Sequence, residues 1–243
     1  MDSTNRYLQS LPGNRLCHGL VCLADEQTHG KGQMGRDWLS DPGDNLTFSI
    51  VIKPGHTVQL QFLAMTTMLA LQKTMIAATG GKPLLKWPND VVCGEKKAAG
   101  ILTESRYNGQ KLDRLVFGIG VNINQVRFPK SIRDKAISLS EMCHGKELER
   151  ELFLAMYLNR LELSLARAMD GEQELLLSVN KNLAGYGKWV SVVVNDQPMD
   201  TPVKILGVNE FGHLMVLTAE DDVRIFKKER IQIIADSAHM ISS

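Results

Sequence analysis

Asn108–Gly109 stands between two β-rich runs, "KKAAGILTES" (96–105) and "DRLVFGIGVNIN" (113–124). Such a pair tolerates the positive φ that a tight reversal needs, so the two runs are expected to fold back on each other as antiparallel strands. This places a sheet in the middle of the chain. "HGLVCLAD" (18–25) and "NLTFSIVI" (45–52) read as further strands. "LLKWPNDVV" (84–92) reads as two short pieces around a turn, because Pro88 breaks any ladder. Helical spacing marks "STNRYLQSL" with Ser3 as N-cap, residues 57–81 ending at Gly80–Gly81, and residues 146–169 and 171–183. Past Gly187 the helical period is lost. The runs "WVSVVV", "PVKILGV", "HLMVLT" and "VRIFKKERIQII" follow, separated by turn-forming stretches. The expectation is an α+β chain. Residues 1–185 would form a unit with a central mixed sheet covered by helices, and residues 186–243 a small β-barrel.

Composition removes several classes of function. The chain has 243 residues, 44% of them hydrophobic, enough for a real core. Its 28 Lys and Arg balance 27 Asp and Glu, which gives no electrostatic case for nucleic acid. The basic stretches 130–135 and 227–230 read as solvated surface. Four cysteines form no C-x-x-C pair and no metal-ligand spacing, as expected of a reduced, cytoplasmic protein. The chain opens on the polar "MDSTNRY", unlike a secretory signal, and "FLAMTTMLAL" is too short to span a bilayer.

Four motifs carry candidate chemistry. "GKGQMGRDW" (30–38) spaces Gly30, Gly32 and Gly35 as G-x-G-x-x-G, but a strand rather than a helix follows, which weakens a dinucleotide reading. The absence of G-K-[ST] excludes a Walker A loop. Two readings are left. One is a mobile loop offering backbone N–H groups, Lys31 and Arg36 to an anion, with Trp38 free to stack. The other is a surface hairpin with a core tryptophan. "KWPND" (86–90) gathers Lys86, Asn89 and Asp90 at a turn, either for a metal–phosphate or ribose or to satisfy local backbone. In "KKAAGI" (96–101), period 2 sends Lys96 and Lys97 to opposite faces, and Ala98, Ala99 and Gly100 leave room beside them. In "GIGVNIN" (118–124), Gly118, Gly120 and Asn122 share a face, which marks close approach of a ligand or tight packing of a helix.

Taken in order, "DSTN" (2–5), "DEQTHGKGQMGRDW" (25–38), "NLTFSI" (45–50), "KWPND", "KKAAGIL" (96–102) and "GIGVNIN" resemble biotin–protein ligase over nearly the whole chain. The resemblance implies a class II synthetase-like catalytic domain followed by an SH3-like barrel. It implies a reaction that joins biotin to ATP, giving biotinyl-5′-AMP, and then passes biotin to one lysine of a carrier domain. Ser3, Thr4, Asn5 and Gln27 would contact the biotin rings, and Gly30, Lys31, Gly32 and Gln33 would cover its tail. Lys97, the key catalytic lysine with Arg36, would hold the biotin carboxylate and α-phosphate. Gly100 and Gly118 would let biotin lie flat. Arg36, Trp38, Lys86, Asn89, Asp90 and Asn122 would serve the nucleotide, with Asp90 also facing Mg²⁺. The partner implied is the biotin carboxyl carrier domain of acetyl-CoA carboxylase or another biotin-dependent carboxylase. A homodimer paired through the open sheet edge is also within the family pattern.

Two departures matter. The common bacterial loop reads G-R-G-R-x-G-R-x-W, whereas Lys31 and Gln33 stand at its first two arginines here. A neutral Gln33 makes no charged bidentate contact, so weaker retention of the adenylate is expected. The chain also begins almost at "DSTN", so a monofunctional enzyme with no operator binding is expected. The rival readings are lipoate–protein ligase, disfavoured by the loop pattern, and a non-catalytic biotin-binding module, disfavoured by Arg36, Asp90 and Lys97 together.

Overall fold

The computed structural model describes residues 1–53, 59–227 and 229–234. Residues 57–58 of the expected second helix, Lys228 of the basic stretch and residues 235–243 lie outside these.

The first six strands are β1 (Val21–Ala24), β2 (Leu46–Ile52), β3 (Leu84–Lys86), β4 (Asp90–Cys93), β5 (Lys96–Asn108) and β6 (Lys111–Val121). They form one sheet in the order β1-β2-β6-β5-β4-β3. Neighbouring strands all run antiparallel. Parallel pairing enters only through isolated bridges, Leu85 with Leu183 and Lys97 with Ala136. The α+β class is the one expected, and the sheet is mixed only to that extent. The β5–β6 hairpin is longer than the sequence suggested. Asn108 pairs with Lys111, so the reversal is residues 109–110, with Gly109 at φ 60°. The Asn is the last ladder residue rather than part of the turn.

Alternation divides the sheet into two faces. Leu46, Phe48, Ile50, Leu115, Phe117 and Ile119 enter the main core. That core is completed by α2 (Leu60–Thr79) and α4 (Arg150–Met169). α2 is buried nearly all round, and Gly80 ends it in the left-handed region at φ 67°, as its position after a helical period suggests. α4 buries the stripe Phe153, Tyr157, Leu161, Leu165 and Ala168. On the opposite face, Val51 and Val116 pack with Leu8 and Leu16 under α1 (Thr4–Ser10). Ser3 is at the N-cap position, but its hydroxyl makes no capping bond. Arg114 holds the other end of α1, donating to the carbonyls of Leu8, Gln9 and Leu11. A cation on those free carbonyls suits the negative end of a helix.

No element is expected from the sequence over residues 125–145, and α3 (Leu139–Met142) lies within them. This short helix opens with a capping box of Ser138 and Glu141. α5 (Gln173–Lys181) follows α4. The C-terminal strands are β7 (Trp189–Val194), β8 (Gln197–Pro198), β9 (Val203–Val208), β10 (Leu214–Leu217), β11 (Val223–Phe226) and β12 (Ile231–Ile234). They form a curled antiparallel half-barrel in the order β11-β10-β9-β7-β12, with β8 beside β7. The run 223–234, read as one strand, is two, split where charged residues at 227–230 leave no apolar face to pack. Two contacts dock this sheet onto the first unit. Asn180 bonds both backbone groups of Val208, and the buried Trp87 indole donates to the Gly212 carbonyl at 3.0 Å. Among the described residues no helix is long and apolar enough to cross a membrane.

Candidate active site

The face of the first sheet that carries α1 also carries a narrow groove, open to solvent. Its floor follows from register. Ser49, Gly118 and Leu102 lie side by side across three strands. The next row on the same face is Thr47, Gly120, Gly100 and Asp90. Successive rows on one face are about 7 Å apart. Three glycines in two adjacent rows remove the side chains that would fill this surface.

Each glycine is needed by a particular neighbour. A Cβ on Gly118 would overlap the Asn5 amide, and one on Gly120 would enter the Trp38 indole. A Cβ on Gly100 would lie 2.6 Å from Lys97 Nζ and 3.2 Å from Asp90 Oδ1. Of the alternatives left open for "GIGVNIN", close packing of a helix holds at Gly118, where Asn5 of α1 sits on the strand, and Gly120 is covered by Trp38 of the glycine loop.

The α1 end of the groove is polar and wired. Thr4 donates its backbone N–H to Gln27 Oε1 at 2.8 Å, and its hydroxyl is 2.6 Å from Ser49 Oγ. Ser49 donates to Asn5 Oδ1 at 2.5 Å, and Asn5 Nδ2 donates to Glu104 Oε2 at 2.7 Å. Ser3, Thr4, Asn5 and Ser49 are all buried. Buried polar groups that satisfy one another hold a single geometry.

The other end is charged. Lys97 extends over Gly100 to Asp90, Nζ to Oδ1 at 2.6 Å, and lies 5.4 Å from the centre of the Trp38 ring. The segment 135–137 grips its backbone: Lys97 N–H donates to the Lys135 carbonyl and its own carbonyl accepts from Ile137. Asp90 is placed by the "KWPND" turn. Asn89 ties that turn to β5, its side chain donating to the Ile101 carbonyl and its carbonyl accepting the Ile101 N–H. The Trp38 Nε1–H is buried and has no hydrogen-bond partner among the described residues.

The glycine-rich segment is a small hairpin. Gly32 donates to the Arg36 carbonyl and Trp38 to the Gly30 carbonyl, and Met34 and Gly35 turn the chain at φ 56° and 72°. Lys31 and Asp37 clasp its base at 2.7 Å, and that bond holds the exposed Asp37 carboxyl below the usual aspartate range.

Most of the expected residues meet here. Ser3, Thr4, Asn5 and Gln27 line one end, Lys31, Gly32, Gln33 and Trp38 one side, and Asn89 and Lys97 the other end, above Gly100 and Gly118. Five do not line it. Arg36 is exposed, and Lys86 is a half-buried residue paired in register with Asp90. Asp90 reaches the groove through Lys97. Gly30 lies behind the wall, where a Cβ would be 3.0 Å from Gln27 Nε2 and from the Trp38 carbonyl. Asn122 spends its amide on the carbonyls of Lys97 and Ile137, which makes it an anchor for the lysine rather than a lining group. Sequence reasoning missed Thr47, Ser49 and Glu104. Thr47 and Ser49 left a signal, two polar residues at period 2 inside an otherwise apolar strand. Among the described residues no cluster of three or more His, Cys, Asp or Glu is assembled.

The groove is thus floored by glycine, polar at one end and cationic at the other. The family follows from comparison with known proteins. Residues 1–122 match the biotin/lipoate A/B protein ligase family, and the chain belongs to it. It is 35% identical over 156 residues to the bifunctional ligase/repressor BirA of Bacillus spizizenii, covering 62% of this chain and 47% of that relative. It is 37% identical over 126 residues to the biotin–[acetyl-CoA-carboxylase] ligase of Paracoccus denitrificans, covering 50% and 51%. The chain thus spans about half the length of these relatives. In fold it is similar to the biotin protein ligase of Aquifex aeolicus in complex with biotin and ATP, with a TM-score of 0.83, 29% identity and 96% of each chain covered.

Proposed function

We propose that this chain is a biotin–protein ligase. In the first step a biotin carboxylate oxygen attacks the α-phosphorus of ATP, the bond to pyrophosphate breaks, and biotinyl-5′-AMP forms. In the second the ε-amine of a carrier lysine attacks the acyl carbon, AMP leaves, and the amine loses a proton. The observation that carries this reading is the placement of Lys97, whose ammonium is held directly over the glycine floor.

The polar end suits the ring system, with Ser3, Thr4, Asn5 and Gln27 around it and Gly118 beneath. Gly30, Lys31, Gly32 and Gln33 would cover the tail. Lys97 would exchange Asp90 for the negative charge gathering between carboxylate and α-phosphate, where a preorganised cation acts most strongly. Arg36, now exposed, would turn in on the phosphates, and the unpartnered Trp38 N–H offers a further donor. Lys86 and Asn89 lie at the nucleotide end, and Asn122 acts there through Lys97. Asp90 fits Mg²⁺, which takes one or two carboxylates together with substrate phosphates and water. When bound, that ion would offset phosphate charge.

In the same reading residues 1–185 bind biotin and ATP and residues 186–243 are the SH3-like unit. The macromolecular partner is the carrier domain of a biotin-dependent carboxylase, and the balanced charge supports a protein rather than nucleic acid. Two copies would pair through the free edge of β1. Four unpaired cysteines support a cytoplasmic setting.

The test is pyrophosphate release from ATP with biotin, lipoate or neither. Release that needs biotin and ignores lipoate is expected. Release with lipoate alone would transfer the reading to lipoate ligation, and none with either would leave a binding module.

A further inference from the structure

The polar end of the groove contains three oxygen–oxygen contacts in series. Gln27 Oε1 is 3.0 Å from Thr4 Oγ1, Thr4 Oγ1 is 2.6 Å from Ser49 Oγ, and Ser49 Oγ is 2.5 Å from Asn5 Oδ1. Two hydroxyls bring only two hydrogens to these three contacts. The two shortest need them most, and Gln27 Oε1 already accepts the Thr4 backbone N–H. Thr4 therefore donates to Ser49, and Ser49 donates to Asn5. This order holds only while Asn5 turns its oxygen, not its nitrogen, towards Ser49.

Glu104 decides which way the amide faces. An ionised carboxylate accepts and cannot donate, so it holds only the nitrogen end of Asn5. Asn5 is 5% exposed and packs on Gly118, which leaves little freedom to adapt in other ways. Glu104 itself faces solvent and does not line the groove.

We propose that Glu104, acting through Asn5 and Ser49, is a positioning residue that sets the hydrogen-bond polarity of the ring end and leaves Thr4 Oγ1 as an acceptor for a ring N–H of the substrate. This rests on the ligase reading and deepens it. A cyclic urea has such N–H groups, whereas a dithiolane ring has none, so the relay bears on the choice between the family's two acids.

The experiment uses the full chain with Glu104→Leu, Glu104→Gln and Ser49→Ala. It measures the biotin Kd by calorimetry, and KM for biotin and for ATP in pyrophosphate release. Glu104→Leu is expected to raise the biotin Kd and KM by about tenfold, the scale of one hydrogen bond, with kcat and the ATP KM unchanged. Glu104→Gln keeps an acceptor oxygen and should recover most of the loss. Ser49→Ala should repeat the biotin-sided loss with Glu104 intact. Unchanged biotin affinity in Glu104→Leu would overturn the proposal alone. So would equal losses for biotin and ATP with a lowered Tm, the mark of a merely structural residue. A wild-type chain that does not bind biotin would overturn the ligase reading, and the proposal with it.

Discussion

At the α1 end of the groove, polar side chains satisfy one another in a chain that runs from half-buried Gln27 through buried Thr4, Ser49 and Asn5 to exposed Glu104. At the Lys97 end and on the adjoining hairpin, cations are matched by carboxylates of their own neighbourhood, Lys97 by Asp90 and Lys31 by Asp37. The first arrangement can receive a ligand with few changes, because its hydrogen bonds are already directed. The second must exchange partners, since Lys97 cannot serve a phosphate while fully committed to Asp90. On the proposed ligase reading, recognition is therefore preorganised and activation is coupled to breaking an ion pair. The half-exposed setting of Lys97 and Asp90 keeps that exchange within reach, because water screens the pair.

The largest effect expected is at Lys97. Lys97→Ala should slow adenylate formation by roughly 100-fold to 1000-fold, as removal of one oriented donor does. Biotin binding should fall far less, and a comparable fall in both would erase the distinction between the two ends. Gly118→Ala and Gly120→Ala sharpen the contrast from the floor. The first drives a methyl into the Asn5 amide, and should cost about 1–3 kcal/mol of stability together with most biotin affinity. The second meets Trp38, a half-buried residue on a hairpin that can shift, so stability should hold better while adenylate formation suffers. Thermal melts with biotin calorimetry separate the two. Trp87→Phe tests whether the second sheet supports the charged end. It leaves the Gly212 carbonyl without its donor, with a stability loss of about 1–2 kcal/mol and a raised ATP KM but an unchanged biotin KM.

The smallest effects belong to the exposed hairpin. Gln33→Arg should slow loss of the adenylate in a filter-binding chase, and an unaltered rate would remove Gln33 from the account. The Lys31–Asp37 clasp carries a pH signature. Asp37 is depressed in the folded state, so the support it gives is fully present above the ordinary aspartate value near pH 4 and is lost below it, as pH falls on through the lowered folded value. Substrate protection of the hairpin from proteolysis should weaken across that same window, and Asp37→Asn should abolish the change.

Much of this was legible in the sequence, for identifiable reasons. The strands, the long helices and the glycine floor follow from periodicity and from residues that only close approach explains. Gly118 and Gly120 announced a contact but not its other side, because Asn5 and Trp38 arrive from distant segments. Lys97 and Asp90 were each singled out, yet their pairing depends on register between β4 and β5, with an irregularity between Val91 and Val92 that spacing does not reveal. The resemblance assigns Asn122 to the nucleotide, whereas its amide is spent on the carbonyls of Lys97 and Ile137, in segments that no local pattern brings near. Glu104 was overlooked because an exposed carboxylate on a strand has no local mark of its role.

The most direct measurement is intact-mass analysis of an apo biotin carboxyl carrier domain incubated with this protein, biotin, ATP and Mg²⁺, with Lys97→Ala run in parallel. The account predicts a biotinyl mass gain on one carrier lysine, present with the wild-type chain and absent with the variant. An equal gain with Lys97→Ala, or no gain in a wild-type reaction that releases no pyrophosphate, would contradict it.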